Sequence, residues 1–321
     1  MPSSDHPDRC RQGRTRLRAV LPWLVAVSLL AWLFHMIPAA KLRAALESVS
    51  IPTFAALVLA FVVVNLAADT AATWATFRYC LPGVALNYLE VLKIRGATYL
   101  LAILNYSVGQ GGIALFLSRR YKVPIGRAVG AVMLTMGVNA VLVAGCAGLG
   151  VLVGGAPASP TLRWVVLALG VGFLGYLAVI AAKPALFARR KMLAPLFEAG
   201  LGGHLVVALA RLPHIAVLLA GHYAAMRVFG VAPPPGQALA LLPVLFIVAT
   251  LPVSPLGLGT AQATAVALFT PFAIGATLAD RQAAVMAYSL SLQFTALLVQ
   301  ALIGLVFLPH FTAAGNVDAR E

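Results

Sequence analysis

The sequence predicts an all-α polytopic membrane protein, with about six spanning helices plus two re-entrant helical hairpins arranged as an inverted-topology repeat. Three observations predict it. Of 321 residues, 61% are hydrophobic and 10% charged, whereas a soluble domain carries about 25% charged residues. Apolar segments recur at the length of about 20 residues that a spanning helix needs. Two further apolar segments are interrupted at their midpoints by Gly- and Ser-rich turns. A soluble globule could not hide so much apolar surface and keep a wettable exterior. A soluble enzyme, a disordered chain and a small disulfide scaffold are therefore excluded.

The N-terminal residues 1–19 form a basic tail with Arg9, Arg11, Arg14, Arg16 and Arg18. The apolar run after it, 20–38, is longer than the usual h-region of about 7–15 residues and lacks a clean cleavage site. It reads as an uncleaved first span with a cytoplasmic N-terminus, the alternative being a cleaved signal. Spans then follow at 51–77, 127–153, 163–182, 204–229 and 283–308. Pro52, Pro124 and Pro213 stand at or near helix starts, where a missing N–H does least damage. Linkers are short, so 20–308 is expected to be one integral domain, followed by a short tail over 309–321. A small-residue face along the span 127–153 and its ends, with Gly126, Gly130, Gly137, Gly148, Gly150 and Gly154, reads as a close helix contact.

The two interrupted segments are 85–121 and 237–272. Each has arms of about 10–13 residues, which at 1.5 Å per residue reach about 15–20 Å, half a bilayer. Each reads as a hairpin that dips to mid-membrane and returns. The alternative is two closely packed full spans joined at a Gly-rich break. With both hairpins re-entrant, most basic residues, Arg78, Lys93, Arg95, Arg119, Arg127 and Lys183 among them, collect on the cytoplasmic side with both termini. Lys41, Arg43, Arg163, Arg227 and Arg281 fall outside, and Arg211 lies within a span. That asymmetry obeys the positive-inside rule and suits a plasma (inner) membrane protein. The formal net charge of +14 is thus read as topology and anionic-lipid contact, not nucleic-acid binding.

The order span–hairpin–span occurs twice with opposite orientation, over about 51–153 and about 204–308. The offsets from 51 to 204, from Gly109 to Gly257 and from 127 to 283 stay between 148 and 156 residues. Paired, interrupted hydrophobic segments in corresponding halves point to a transporter-type binding site.

These turns supply the first candidate residues: Asn105, Ser107, Gly109, Gln110, Gly111 and Gly112 in one, Ser254, Pro255, Gly257, Gly259 and Gln262 in the other. A helix that begins in mid-membrane points unpaired N–H groups into the cavity, a seat for an anionic headgroup. Glycines there let a ligand approach the backbone, or merely permit a tight turn. Asp69 is the second candidate. Asn65 and Thr73 lie four residues either side of it on one helical face, and a carboxylate inside a span faces a cavity or a partner. Arg211 enters its span at similar depth. The two are expected to pair as a gate or a structural contact, the alternative being an Arg211 that snorkels to the interface.

No metal or other cofactor is expected. His214 and His222 share a helical face without a third ligand, and Cys10, Cys80 and Cys146 show no metal or disulfide spacing. No Ser/His/Asp set and no acid pair within a span suggests an enzyme.

The stretch NYSVGQGGIALFLSRR (Asn105–Arg120), followed by Val123-Pro124-Ile125-Gly126-Arg127-Ala128, resembles the first signature of the lysylphosphatidylglycerol synthase transmembrane-region family, also called flippase-like. LPVSPLGLGTAQ (Leu251–Gln262) resembles its second signature, a Pro-x-Ser-Pro-Gly-Gly-Leu-Gly-x-x-Glu turn. Two departures stand out. Gln262 replaces the usual Glu, and the first turn lacks its usual acidic residue. The resemblance implies lipid translocation or lipid binding without the aminoacyl-transfer domain, so synthesis of lysylated lipid is not expected. The expected partners are membrane lipids with anionic headgroups, with a second copy or a lipid-synthesis enzyme as further candidates. A small-solute secondary transporter with the same hairpins and a non-transporting membrane subunit are the alternatives.

Overall fold

The computed structural model describes residues 23–104, 106–154, 160–188, 190, 192–251 and 253–315. The basic N-terminal tail and Asn105 lie outside them. Among the described residues the fold is helical throughout, with one isolated β-bridge from Val231 to Ala273. The order is α1 (Trp23–Met36), α2 (Ala39–Glu47), α3 (Ile51–Cys80), α4 (Tyr88–Leu104), α5 (Tyr106–Tyr121), α6 (Ile125–Gly154), α7 (Pro160–Ala182), α8 (Ala185–Ala188), α9 (Ala194–Val228), α10 (Pro235–Thr250), α11 (Thr260–Phe269) and α12 (Leu278–Gly315). Short 3₁₀ turns at Pro255–Gly257 and Thr270–Phe272 flank α11.

Among the described residues four helices are long and apolar enough to cross a membrane: α3, α6, α9 and α12. A fifth crossing exists if α1 and α2, bent by 89° at Pro38, count as one broken span. Within α7, Leu167–Ala182 is a shorter apolar helix. Boundaries also move. α9 runs from Ala194 as two helical pieces joined at a kink at Gly200 (φ 57°), and the longer piece beyond it takes in the expected span from 204. α12 continues past 308 to Gly315 despite Pro309.

The first hairpin breaks earlier than the glycines suggest. Gly109, Gly111 and Gly112 lie inside α5, which begins at Tyr106, and α4 ends at Leu104. The reason is packing: a Cβ on Gly109 would sit 2.9 Å from the Ala102 Cβ. The glycine thus brings the two arms together, and tertiary contact outweighs its poor helix propensity. The arms are 17 and 16 residues long, about 25 Å each, so they reach deeper than half a bilayer. In the second hairpin α10 has 16 residues and α11 has 10, with the Pro255–Gly257 turn between them.

Helix packing is reciprocal between the halves. α6 lies against α10, α12 lies against α4, and α3 pairs with α9. Gly150 and Gly154 make the α6–α10 contact close: a Cβ on Gly150 would stand 2.2 Å from the Ala240 amide nitrogen. Apolar side chains gather in two cores. One joins the beginning of α3 (Phe54, Val58, Val62), the end of α9 (Ala225, Met226), α10, α11 and the first turns of α12. The other joins the end of α3 (Phe77, Cys80), the beginning of α9 (Leu196, Phe197, Val207), α4, α5 and α6. Both α3 and α9 therefore run from one core into the other, and their midpoints lie at the waist.

Candidate functional site

Polar groups occupy that waist. Asp69 sits about 27 Å along α3 from its start, and Arg211 about 16 Å beyond the kink of α9 at Gly200. Arg211 Nη2 lies 3.1 Å from Asp69 Oδ1. The same nitrogen donates to Thr73 Oγ1 at 3.3 Å, and Nη1 donates to Asn139 Oδ1 of α6 at 3.2 Å. Asp69 and Thr73 reach one guanidinium together because they are four residues apart on one helical face.

A second arginine joins them. Arg95 Nη2 of α4 pairs with Asp69 Oδ2, and its Nη1 stands 3.5 Å from Gln110 Oε1 of α5. The charge-asymmetry reading had put Arg95 at the cytoplasmic edge. The structure instead turns it inward, leaving its side chain 11% exposed, because α4 enters the bundle between α3 and α12. Asp69 is 5% and Arg211 3% exposed at the side chain.

One buried carboxylate thus faces two buried guanidiniums, and the cluster carries one surplus positive charge. The donors are not exhausted. Arg95 Nε and Arg211 Nε are buried without hydrogen-bond partners, as are Asn65 Oδ1 and His214 Nδ1. Burying an ion without full compensation costs several kcal/mol, so apolar packing alone would not retain this arrangement. An anion entering the waist would meet two planar forks with free N–H groups, suited to a phosphate or carboxylate.

The sequence-derived candidates divide between this cluster and a second place. Asp69, Arg211 and Gln110 converge on it. Ser107, Gly109, Gly111 and Gly112 lie on α5 beside Gln110; Gly109 and Gly112 are buried, and Gly111 is exposed with open space around its Cα.

The other place is the second turn, where Ser254, Pro255, Gly257, Gly259 and Gln262 fold onto one another. Gln262 Oε1 accepts from the Gly259 amide at 2.7 Å, satisfying one of the free N–H groups at the start of α11. Gln262 Nε2 donates to Gln293 Oε1 of α12, and Gln293 Nε2 donates to the Leu256 carbonyl at 2.7 Å. Ser254 Oγ lies 2.9 Å from Thr260 Oγ1. Two glutamine amides in series hold a turn whose Leu256, at φ 56°, is in the left-handed region that non-glycine residues rarely adopt. Gly257 and Gly259, at φ 70° and 82°, also need that freedom. The Pro255–Gly257 turn packs on α4, the helix that carries Arg95. The Ser254 and Gln262 side chains are thus committed within the turn, whereas Arg95 and Arg211 keep unpaired Nε donors.

Sequence reasoning missed Arg95, Asn139 and Gln293. Arg95 had one signal: it lies seven residues into α4 and is followed by a long apolar run, so its helix carries it inward. Asn139 and Gln293, single amides inside apolar spans, gave the same kind of signal. His222 is taken up between the rings of Phe61 and Phe246. No group of three His, Cys, Asp or Glu able to hold a metal ion occurs among the described residues.

No curated protein matches the chain. A family profile described as the lysylphosphatidylglycerol synthase TM region matches residues 19–304. The match takes in every helix from α1 to the greater part of α12, so the chain belongs to the lysylphosphatidylglycerol synthase transmembrane-region family of integral membrane proteins.

Proposed function

We propose that the protein moves or holds a membrane lipid with an anionic headgroup, using the waist of the bundle as the headgroup site. The observation that carries this is the charge count of the buried cluster: Arg95 and Arg211 against Asp69 alone, with both Nε atoms free. Asp69 acts as the resident counter-ion. An arriving phosphate competes with it for the two guanidiniums, and Asp69 reclaims them when the headgroup leaves. The anchor is therefore the arginine pair, with α5 and the braced second turn as flanking walls.

The reciprocal packing of α6 on α10 and α12 on α4 supports the inverted repeat of two re-entrant hairpins. Each half's last long helix seats the other half's first hairpin arm, around an α3–α9 pair shared by both. In that architecture the cluster can be opened from either leaflet by moving one hairpin at a time. We place the protein in the plasma membrane with both termini in the cytoplasm, acting as a translocator and not as an enzyme.

The test uses vesicles of phosphatidylcholine with a trace of headgroup-accessible fluorescent phosphatidylglycerol. Full-length protein should expose inner-leaflet label to dithionite faster than protein-free vesicles, and Arg95→Gln should slow this at least about ten-fold, the loss of about 1.4 kcal/mol of headgroup binding. Equal rates with and without protein would overturn the proposal. Uptake of a water-soluble anion without lipid movement would move the reading to a small-solute transporter.

A further inference from the structure

A second place in the molecule combines an apolar slot with an unmatched cation. Between α1, α11 and the first turn of α12 lies a groove of about 390 Å³, whose walls include Trp32, Met36, Val266, Ala267, Leu278 and Arg281. Its lips face outward: Trp32 is 52%, Met36 44% and Leu278 56% exposed. In a bilayer these lips meet lipid.

Arg281 is the unusual member. Its Nε is buried without a hydrogen-bond partner. The loop before α12 lies close to its stem: a Cβ on Gly275 would stand 3.1 Å from the Arg281 Cγ. The neighbouring carboxylate does not serve it. Asp280 is taken by Lys41 Nζ at 2.6 Å, and by the Thr277 hydroxyl and amide at 2.8 and 3.0 Å. Arg281 has no acidic partner among the described residues, so the rim of the groove carries one uncompensated positive charge.

We infer that this groove binds a glycerophospholipid with an anionic headgroup, drawn from the leaflet that faces the start of α12. An acyl chain fills the apolar slot, and the phosphate engages the Arg281 guanidinium at its mouth. The volume falls within the range of about 300–1,000 Å³ typical of ligand sites. The charge selects anionic over zwitterionic lipid, and the planar fork suits phosphate geometry. A free phosphate ion would leave the apolar walls empty, and an apolar helix would leave the arginine unmatched. The site uses no residue of the Asp69 cluster, so it stands apart from the proposed headgroup path. It would hold α1 against the second hairpin, where Gly259 already abuts Ala26 and Leu29.

Trp32 supplies the probe. The full chain with Trp23→Phe, Trp74→Phe and Trp164→Phe keeps it as the sole indole, and is reconstituted in phosphatidylcholine vesicles doped with brominated phosphatidylglycerol or brominated phosphatidylcholine. Brominated phosphatidylglycerol should quench Trp32 about five-fold more avidly, the equivalent of about 1 kcal/mol for one charge at an anionic lipid. Arg281→Gln should abolish the preference, and Arg281→Lys should keep part of it. Equal quenching by the two lipids, or a preference that survives Arg281→Gln, would overturn the inference. So would displacement of the brominated lipid by inorganic phosphate, which would assign the site to a free anion. Should the triple variant not fold, the phosphatidylglycerol retained per chain by the otherwise native protein decides the same point. It should drop by one in Arg281→Gln and in the groove-filling Ala267→Trp, and no drop in either overturns the site.

Discussion

Asp69→Asn is the most informative perturbation of the waist. It keeps the shape and one acceptor oxygen but removes the charge that faces both Arg95 and Arg211. Stripping a buried ion of its counter-ion costs about 3–5 kcal/mol, and here two guanidiniums lose theirs at once, so the loss should reach the upper part of that range. Arg95→Gln behaves differently. It leaves Asp69 and Arg211 matched one to one at 3.1 Å. The lost charged hydrogen bond, about 1.5–3 kcal/mol, is offset by no longer desolvating a surplus cation, several kcal/mol per ion. The net change should stay within about 1 kcal/mol. The double variant Arg95→Gln/Arg211→Gln strands Asp69 and should fall back to a loss of about 3–5 kcal/mol, well beyond the sum of its singles. Unfolding of the full-length protein in mild detergent, followed by tryptophan fluorescence, measures these three variants and the single Arg211→Gln. Arg95→Gln as damaging as Asp69→Asn, or strictly additive arginine losses, would refute the surplus-charge account.

The remaining expectations concern the frame around the waist. Gln262→Leu leaves the Gly259 N–H and the Gln293 Oε1 unpaired. At about 1–3 kcal/mol per buried orphan, it should cost at least about 2 kcal/mol in the same unfolding assay, and an unchanged midpoint would show that the glutamine relay does not hold the turn. Gly150→Val should weaken the α6–α10 contact by about 2 kcal/mol or more, while Gly145→Val, on an open face of the same helix, should be tolerated to within about 0.5 kcal/mol. Single cysteines at Tyr106 and Val253, in a background lacking Cys10, Cys80 and Cys146, test hairpin depth. Both should react slowly with an impermeant maleimide from either face, and rapid labelling at both water boundaries would remove the shared mid-membrane pocket.

Membrane character and helical class are legible from composition because nothing else solvates so many apolar residues. Span ends are less legible. Gly200 and the bend at Pro38 redirect helices through single dihedral choices that hydropathy averages away. Gly109 reads locally as part of the first break, while the contact with Ala102 that goes with its helical place is visible only once the arms are paired. Asp69 and Arg211 stood out because a charge inside a span has few neutral explanations. Arg95 did not, since an arginine near the start of an apolar segment fits an interfacial residue equally well, and only the position of α4 between α3 and α12 separates the two. Gln262 and Gln293 show the same limit: their amides look available in sequence and are spent on each other and on the turn.

The central claim is that the arginine pair at the waist binds an anionic headgroup. Native mass spectrometry of the full-length Arg281→Gln protein, purified in mild detergent from phosphatidylglycerol-containing membranes, addresses it without interference from the Arg281 groove. The protein should retain an anionic phospholipid, and the further substitution Arg95→Gln should remove it while leaving the fold intact. Retention of only zwitterionic lipid, or of the same anionic lipid with and without Arg95, would contradict the claim.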